Sequence, residues 1–225
     1  MKPELITEDS LRDKIYVFED RTDAGRKLAQ KLTDYSNTNA IILAIPSGGV
    51  PVAFEAAKFL NLQMDLIIVR KIQIPWNTEA GFGAVSPDGE AIFNEELLKR
   101  LDLSKGEIDS QIKKTQEILT RRNEIFRAGK AFPEIKNKTV ILVDDGLASG
   151  YTMFSAVQFV RKQYPKEIIT AVPTGSQRTV ELILKKVDKL ICLNIRTGYS
   201  FAVADAYRNW YDLTDKEIIS ILHRL

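Results

Sequence analysis

Cysteine and histidine are almost missing from this chain: its 225 residues include one of each, Cys192 and His223. One cysteine excludes an intrachain disulfide framework and any zinc site built from several thiolates. One histidine, third from the end of the sequence, is a weak starting point for a histidine base, a His-rich metal site or a Ser-His-Asp triad. Long hydrophobic runs are absent too, since no stretch of eighteen apolar residues occurs. Residues 1–13 carry four acids and no apolar signal core, so the expectation is a soluble, cytoplasmic protein without membrane contact. Charge of one sign is also lacking. Thirty-two Lys plus Arg face thirty Asp plus Glu, a net charge of +2, too little to make nucleic acid or an anionic membrane the default partner. Chemistry here must rest on carboxylates, cations and backbone amides.

What the sequence does have is an alternation of short Ile- and Val-rich runs with segments of helical period, the pattern of a mostly parallel sheet flanked by helices. The strand candidates are 40–45, 65–69, 139–143, 167–172 and 189–194, with 16–19 as a weaker sixth. Helices are expected over 21–32, 51–59, 151–162 and 177–186, with Asp20, Gly49, Gly150 and Ser176 near their starts. The stretch 86–132 is too long for an ordinary connection and must hold structure of its own, an inserted arm. Within and just before it, residues 81–92 suggest a hairpin turning at Pro87-Asp88-Gly89. From Ser104 the period becomes helical, with a Ser104/Glu107 capping box and Gly129 as a stop, about 37 Å of helix.

The most informative segment is Val140 to Thr152, in which a buried-strand run ends in Asp144-Asp145 and a small-residue turn, Gly146-Leu147-Ala148-Ser149-Gly150, opens a helix at Tyr151-Thr152. Such a turn presents backbone N–H groups at a helix N-terminus, where a phosphate is favoured. Two carboxylates at the strand end can accept hydrogen bonds from a vicinal diol or hold a divalent cation. The segment resembles the 5-phosphoribosyl 1-diphosphate (PRPP) motif of the type I phosphoribosyltransferases. That resemblance implies that Asp144 and Asp145 meet the ribose hydroxyls and a metal, and that Gly146, Leu147, Ala148, Ser149, Gly150, Tyr151 and Thr152 hold the 5-phosphate.

Two further segments follow the same family's order. Pro46-Ser47-Gly48-Gly49-Val50-Pro51 precedes a helix, and its glycines allow an anion close to the backbone; the resemblance gives Ser47, Gly48 and Gly49 the pyrophosphate. Arg70-Lys71 closes a strand run, and two cations there could neutralise a departing pyrophosphate; the competing reading is a solvated strand end. Together with Phe18-Glu19-Asp20-Arg21, these segments are similar to the branch of predicted phosphoribosyltransferases of unassigned acceptor. Ala148 stands where hypoxanthine- and guanine-type enzymes place an Asp, a slight lean away from 6-oxopurines.

The resemblance also implies a C-terminal hood over 196–225, where Phe201, Tyr207, Trp210 and Tyr211 could stack on a base and Asp205 could assist magnesium; core packing is the competing role for the aromatics. Arg121, Arg122 and Arg127 on the inserted helix could reach a phosphate or form a solvated face. Gly81-Phe82-Gly83 fails the dinucleotide fingerprint, and residues 146–152 lack the Lys of an NTP-binding P-loop. The expectation is one α/β phosphoribosyltransferase domain over 1–225. It would transfer phosphoribosyl from PRPP to an N-nucleophile, such as a purine base, with Mg²⁺ and with release of pyrophosphate, as a homodimer. A PRPP sensor without turnover and a phosphoribosyl hydrolase are the alternatives.

Overall fold

The computed structural model describes residues 3–198 and 200–224, with Thr78 and Glu79 by their backbone alone. In chain order the elements are β1 (Glu4–Thr7), α1 (Arg21–Gln30), β2 (Ile41–Ala44), α2 (Gly49–Leu60), β3 (Gln63–Leu66), β4 (Arg70–Ile74), β5 (Asn77–Val85), β6 (Ala91–Phe93), α3 (Glu95–Leu101), α4 (Lys105–Arg127), β7 (Thr139–Val143), α5 (Tyr151–Arg161), β8 (Glu167–Ser176), α6 (Gln177–Leu184), β9 (Lys189–Arg196) and α7 (Asp215–Leu222). Six strands form a wholly parallel sheet in the order β1-β9-β8-β7-β2-β3.

Strand alternation divides the core into two layers. Ile42, Ala44, Ile141, Val143, Ile169 and Ala171 pack with the apolar sides of α1 and α2. Ile41, Leu43, Val140, Leu142, Ile168 and Val172 face Met153, Val157 and Val160 of α5 and Val180 and Ile183 of α6. Both faces of the sheet are covered, so the strands read as continuous apolar runs. The helix starts are fixed locally: the Asp20 side chain accepts from the Asp23 N–H, and that of Ser176 from Thr179 N–H.

From β2 the chain crosses to β3 on one side, and from β7 to β8 on the other. The junction between β2 and β7 is therefore a topological switch point, where the loops after two neighbouring strands part and leave a crevice.

Several expected elements are corrected. The sixth strand is Glu4–Thr7, parallel to β9, and 16–19 is no strand. Phe18 is fully buried there and makes a single bridge to Tyr207, donating its N–H to Ala206 O at 3.0 Å and accepting from Arg208 N–H at 2.9 Å. The strand expected at 65–69 spans 63–66; Ile67 still donates its N–H to Ala44 O at 2.9 Å, and Ile68 and Val69 are buried beyond it. The inserted structure begins at Arg70, because β4 pairs antiparallel with β5 and β5 with β6 to make a second, three-stranded sheet. Gly89, at φ +83°, turns the expected hairpin. The capping box of Ser104 and Glu107 opens α4, which ends on Ala128 and Gly129, both in the left-handed region. Arg127 is neither a phosphate ligand nor a solvated side chain: it is buried, ion-paired to Asp65, and donates to Leu66 O at 2.9 Å and Ala131 O at 2.6 Å. It pins the end of α4 to β3. Among the described residues no helix is long and apolar enough to cross a membrane.

Candidate active site at the switch point

The turn after β7 is held from three sides. Leu147 donates its N–H to Thr174 O at 2.9 Å, and its carbonyl accepts from Ser176 N–H at 3.2 Å, which stitches the loop to the end of β8. Thr179 Oγ1 donates to Ala148 O. Gly146 has room for no side chain, since a Cβ there would meet Val203 Cγ1 at 2.6 Å. Gly150 sits at φ +80° against Thr179 and starts α5, whose first amides have no acceptor within the helix.

The loop after β2 lies directly on the acidic pair. A Cβ at Gly48 would fall 1.8 Å from Asp145 Oδ2, and one at Gly49 would fall 2.5 Å from Val143 O. The Pro46–Ser47 peptide is cis. The Ser47 carbonyl accepts from Val50 N–H in the first turn of α2 at 3.1 Å.

The two acids point differently. Asp144 lines a cavity of about 390 Å³ together with Gly146 to Gly150, Thr152, Met153, Ala80, Gly81 and Lys71. Asp145 turns away, its Oδ2 accepting from Arg21 Nε at 2.9 Å. The Asp145 carbonyl accepts from Tyr207 Oη at 2.6 Å, and its N–H donates to Asp144 Oδ1 at 2.8 Å. Burial, then the adjacent Asp145 carboxylate, hold the Asp144 carboxyl well above the usual range. Burial raises Asp145 as well, opposed by the Arg21 guanidinium. Burial keeps the Tyr207 phenol protonated and thus a donor.

Lys71 reaches the cavity with its stem over Gly81, where a Cβ would meet Lys71 Cγ at 2.2 Å. Arg70 does not, because successive strand residues face opposite ways. It is half-buried near Arg122 and Asp215; burial lowers its pKa, Arg122 lowers it further, and Asp215 opposes both. Tyr151 faces a neighbouring cavity of about 720 Å³, which shares only Ala148 and Ser149 with the first. Phe201 is half-buried and lines neither. From the C-terminal segment, Val203 lies against Gly146 and Tyr207 bonds to Asp145 O. Asp205 is used through its carbonyl, which accepts from Tyr16 N–H at 2.8 Å.

Arg21 and the hydroxyl role of Tyr207 escaped the sequence reading. Arg21 lies in the Phe18-Glu19-Asp20-Arg21 segment, yet nothing local ties it to an acid 124 positions away. Among the described residues no group of three or more His, Cys, Asp or Glu could hold a metal ion.

The chain is similar to known proteins in sequence and fold. The sequence model of the phosphoribosyl transferase domain matches residues 13–206. A Mycobacterium tuberculosis protein provisionally named a phosphoribosyl transferase is 36% identical over 208 residues, 92% of this chain and 47% of its own. The chain thus spans about half the length of the curated relatives it first matches. A hypoxanthine-guanine phosphoribosyltransferase of Staphylococcus aureus is 26% identical over 123 residues, 54% of this chain and 69% of that one. The crystal structure of a Thermus thermophilus protein superimposes with a TM-score of 0.74 at 30% identity, covering 92% of this chain and 98% of that one. With its acidic turn and glycine loop meeting at the switch point of a parallel sheet, and with 13–206 matched, the chain belongs to the phosphoribosyl transferase domain family.

Proposed function

We propose that the cavity at the switch point binds PRPP and that the protein transfers its phosphoribosyl group to a nitrogen nucleophile, releasing pyrophosphate. One observation carries this reading: a carboxylate, a phosphate-type loop at a helix start and a lysine surround one space of about 390 Å³. The first-turn amides of α5 and Thr152 hold the 5-phosphate. Asp144, whose charged form a bound cation and the ribose hydroxyls would favour against the effect of burial, accepts from those hydroxyls and favours cationic character at C1 as the C1–O bond breaks. Lys71 neutralises the leaving pyrophosphate, while Gly48 and Gly49, which do not line this cavity, let the loop after β2 pack on Asp145 and Val143. Arg70, which faces Arg122 and Asp215, supports the field from outside the cavity.

Magnesium fits this donor set. It binds through one or two carboxylates plus substrate phosphates and keeps several waters, so it needs no cage of three acids. Asp144 would hold it, since Asp145 Oδ2 is paired with Arg21. When bound, the ion would supply positive charge to the pyrophosphate oxygens.

The acceptor would approach from the hood, between 203 and 211. The test is pyrophosphate release from PRPP with a panel of free purine and pyrimidine bases, with the product identified by mass. The expected result is base-dependent release with a matching nucleoside monophosphate. Release that is equally fast without any base would favour a hydrolase, and binding without release under every acceptor would favour a sensor; either would overturn transfer.

A further inference from the structure

The guanidinium of Arg21 sits at a junction that nitrogen-nucleophile chemistry alone does not explain. Arg21 is 7% exposed. One edge of its planar fork donates from Nε to Asp145 Oδ2 at 2.9 Å, and another nitrogen donates to Tyr211 O at 3.0 Å. Its Cζ lies 3.9 Å from the centre of the Trp210 ring, in cation–π range. Three partners thus converge on one side chain: the acid beside Asp144, a hood carbonyl and a hood indole. A lysine could supply the charge to Asp145, but not the second directed bond and the stacked face together. Tyr207 adds a parallel tie from the hood to the same turn, through Asp145 O.

We infer that Arg21 is the positioning residue that turns Asp145 out of the cavity and couples the acidic turn to the hood. Asp144 and Asp145 are successive residues joined by a hydrogen bond of 2.8 Å, so a ligand that shifts the Asp144 carboxylate shifts Asp145. Arg21 then carries that shift to Trp210 and Tyr211. The cavity and the segment that closes over the acceptor are thereby linked without direct contact between ligand and indole. The inference rests on the reading that this cavity takes PRPP.

The test uses the full chain with Trp76→Phe, which leaves Trp210 as the sole tryptophan. PRPP with Mg²⁺ is titrated twice, by calorimetry and by tryptophan emission. The expected result is an emission change whose midpoint matches the calorimetric affinity. In Arg21→Lys, affinity is expected within about threefold of the parent, because the charge on Asp145 remains, while most of the emission change is lost. In Arg21→Gln, affinity is expected to fall by roughly tenfold or more, because a buried acid is left uncompensated beside a polyanion. Should the Gln variant fail to fold, the Lys variant carries the test by itself. Binding heat with unchanged emission in the parent, or an undiminished emission change in Arg21→Lys, would overturn the coupling. No binding heat in the Trp76→Phe parent would overturn the PRPP reading instead, and the coupling with it.

Discussion

Gly48→Ala isolates the contact on which the site depends. Gly48 has φ −62° and ψ −34°, a conformation alanine adopts freely, so the substitution adds a methyl group without backbone strain. That methyl would lie 1.8 Å from Asp145 Oδ2 and 2.3 Å from its Cγ, well inside van der Waals contact. Asp145 must retreat, but its Oδ2 is held by Arg21 at 2.9 Å, with the two side chains only 14% and 8% exposed. Overpacking of this kind costs about 1–3 kcal/mol. If Asp145 is driven off Arg21, the loss approaches the ~3–5 kcal/mol of a broken buried pair. At roughly 2–4 °C per kcal/mol for a chain of this size, Tm is expected to fall by roughly 2–12 °C, and by roughly 6–20 °C if the pair is broken. Scanning calorimetry measures it, with Gly106→Ala as control, since nothing lies within 4 Å of a Cβ at Gly106. In an Asp145→Ala background the penalty at Gly48 should vanish. A Gly48→Ala protein as stable as Gly106→Ala would refute the packing of the glycine loop on the acidic turn.

Arg127→Met removes the cation that pins α4 to β3 and leaves Asp65 and three carbonyls without their donor; a loss of about 3 kcal/mol is expected in chemical denaturation, discounted from the fully buried case because Asp65 is a quarter exposed. A change within experimental error would make the ion pair ornamental. Cys192 is fully buried, and burial pushes its thiol up, so an alkylating reagent at pH 8 should leave it unmodified in the native protein and label it after denaturation. Equal labelling rates in both states would place it at the surface. Lys71→Ala should weaken PRPP binding by about 10- to 100-fold, the range for one charge-assisted contact of ~1.5–3 kcal/mol, and Arg70→Ala by clearly less. The reverse order in titration calorimetry would return the cationic role to Arg70.

Local features of the sequence translated well into structure. The run 139–143 is β7 residue for residue, and the Ser104/Glu107 box opens α4, because both are settled by neighbours in the chain. The acidic turn was legible for the same reason: strand, acids, glycines and helix start are contiguous. Apolar runs proved a guide to burial rather than to pairing. Ile67 to Val69 and Phe18 are buried, yet Phe18 forms a bridge to Tyr207 rather than a strand, and the strand expected to run to Val69 ends at Leu66. Glu4–Thr7 was invisible because an edge strand of four residues, two exposed and two half-buried, has no long apolar run. Long-range pairings left no trace at all. Arg21 meets Asp145 across 124 positions and Arg127 meets Asp65 across 62, and either arginine could equally have been a solvated charge. The split of Arg70 from Lys71 follows from strand alternation, but only once β4 is known to be a strand.

The most direct test of the site is calorimetric titration of PRPP with and without Mg²⁺ against the native protein and Asp144→Asn. Asp144 is the acid that faces the cavity, and asparagine keeps its shape while removing its charge. The expected result is magnesium-dependent binding to the native protein that is lost in Asp144→Asn while the thermal melt remains cooperative. Equal binding by both proteins would contradict the assignment of this cavity to PRPP.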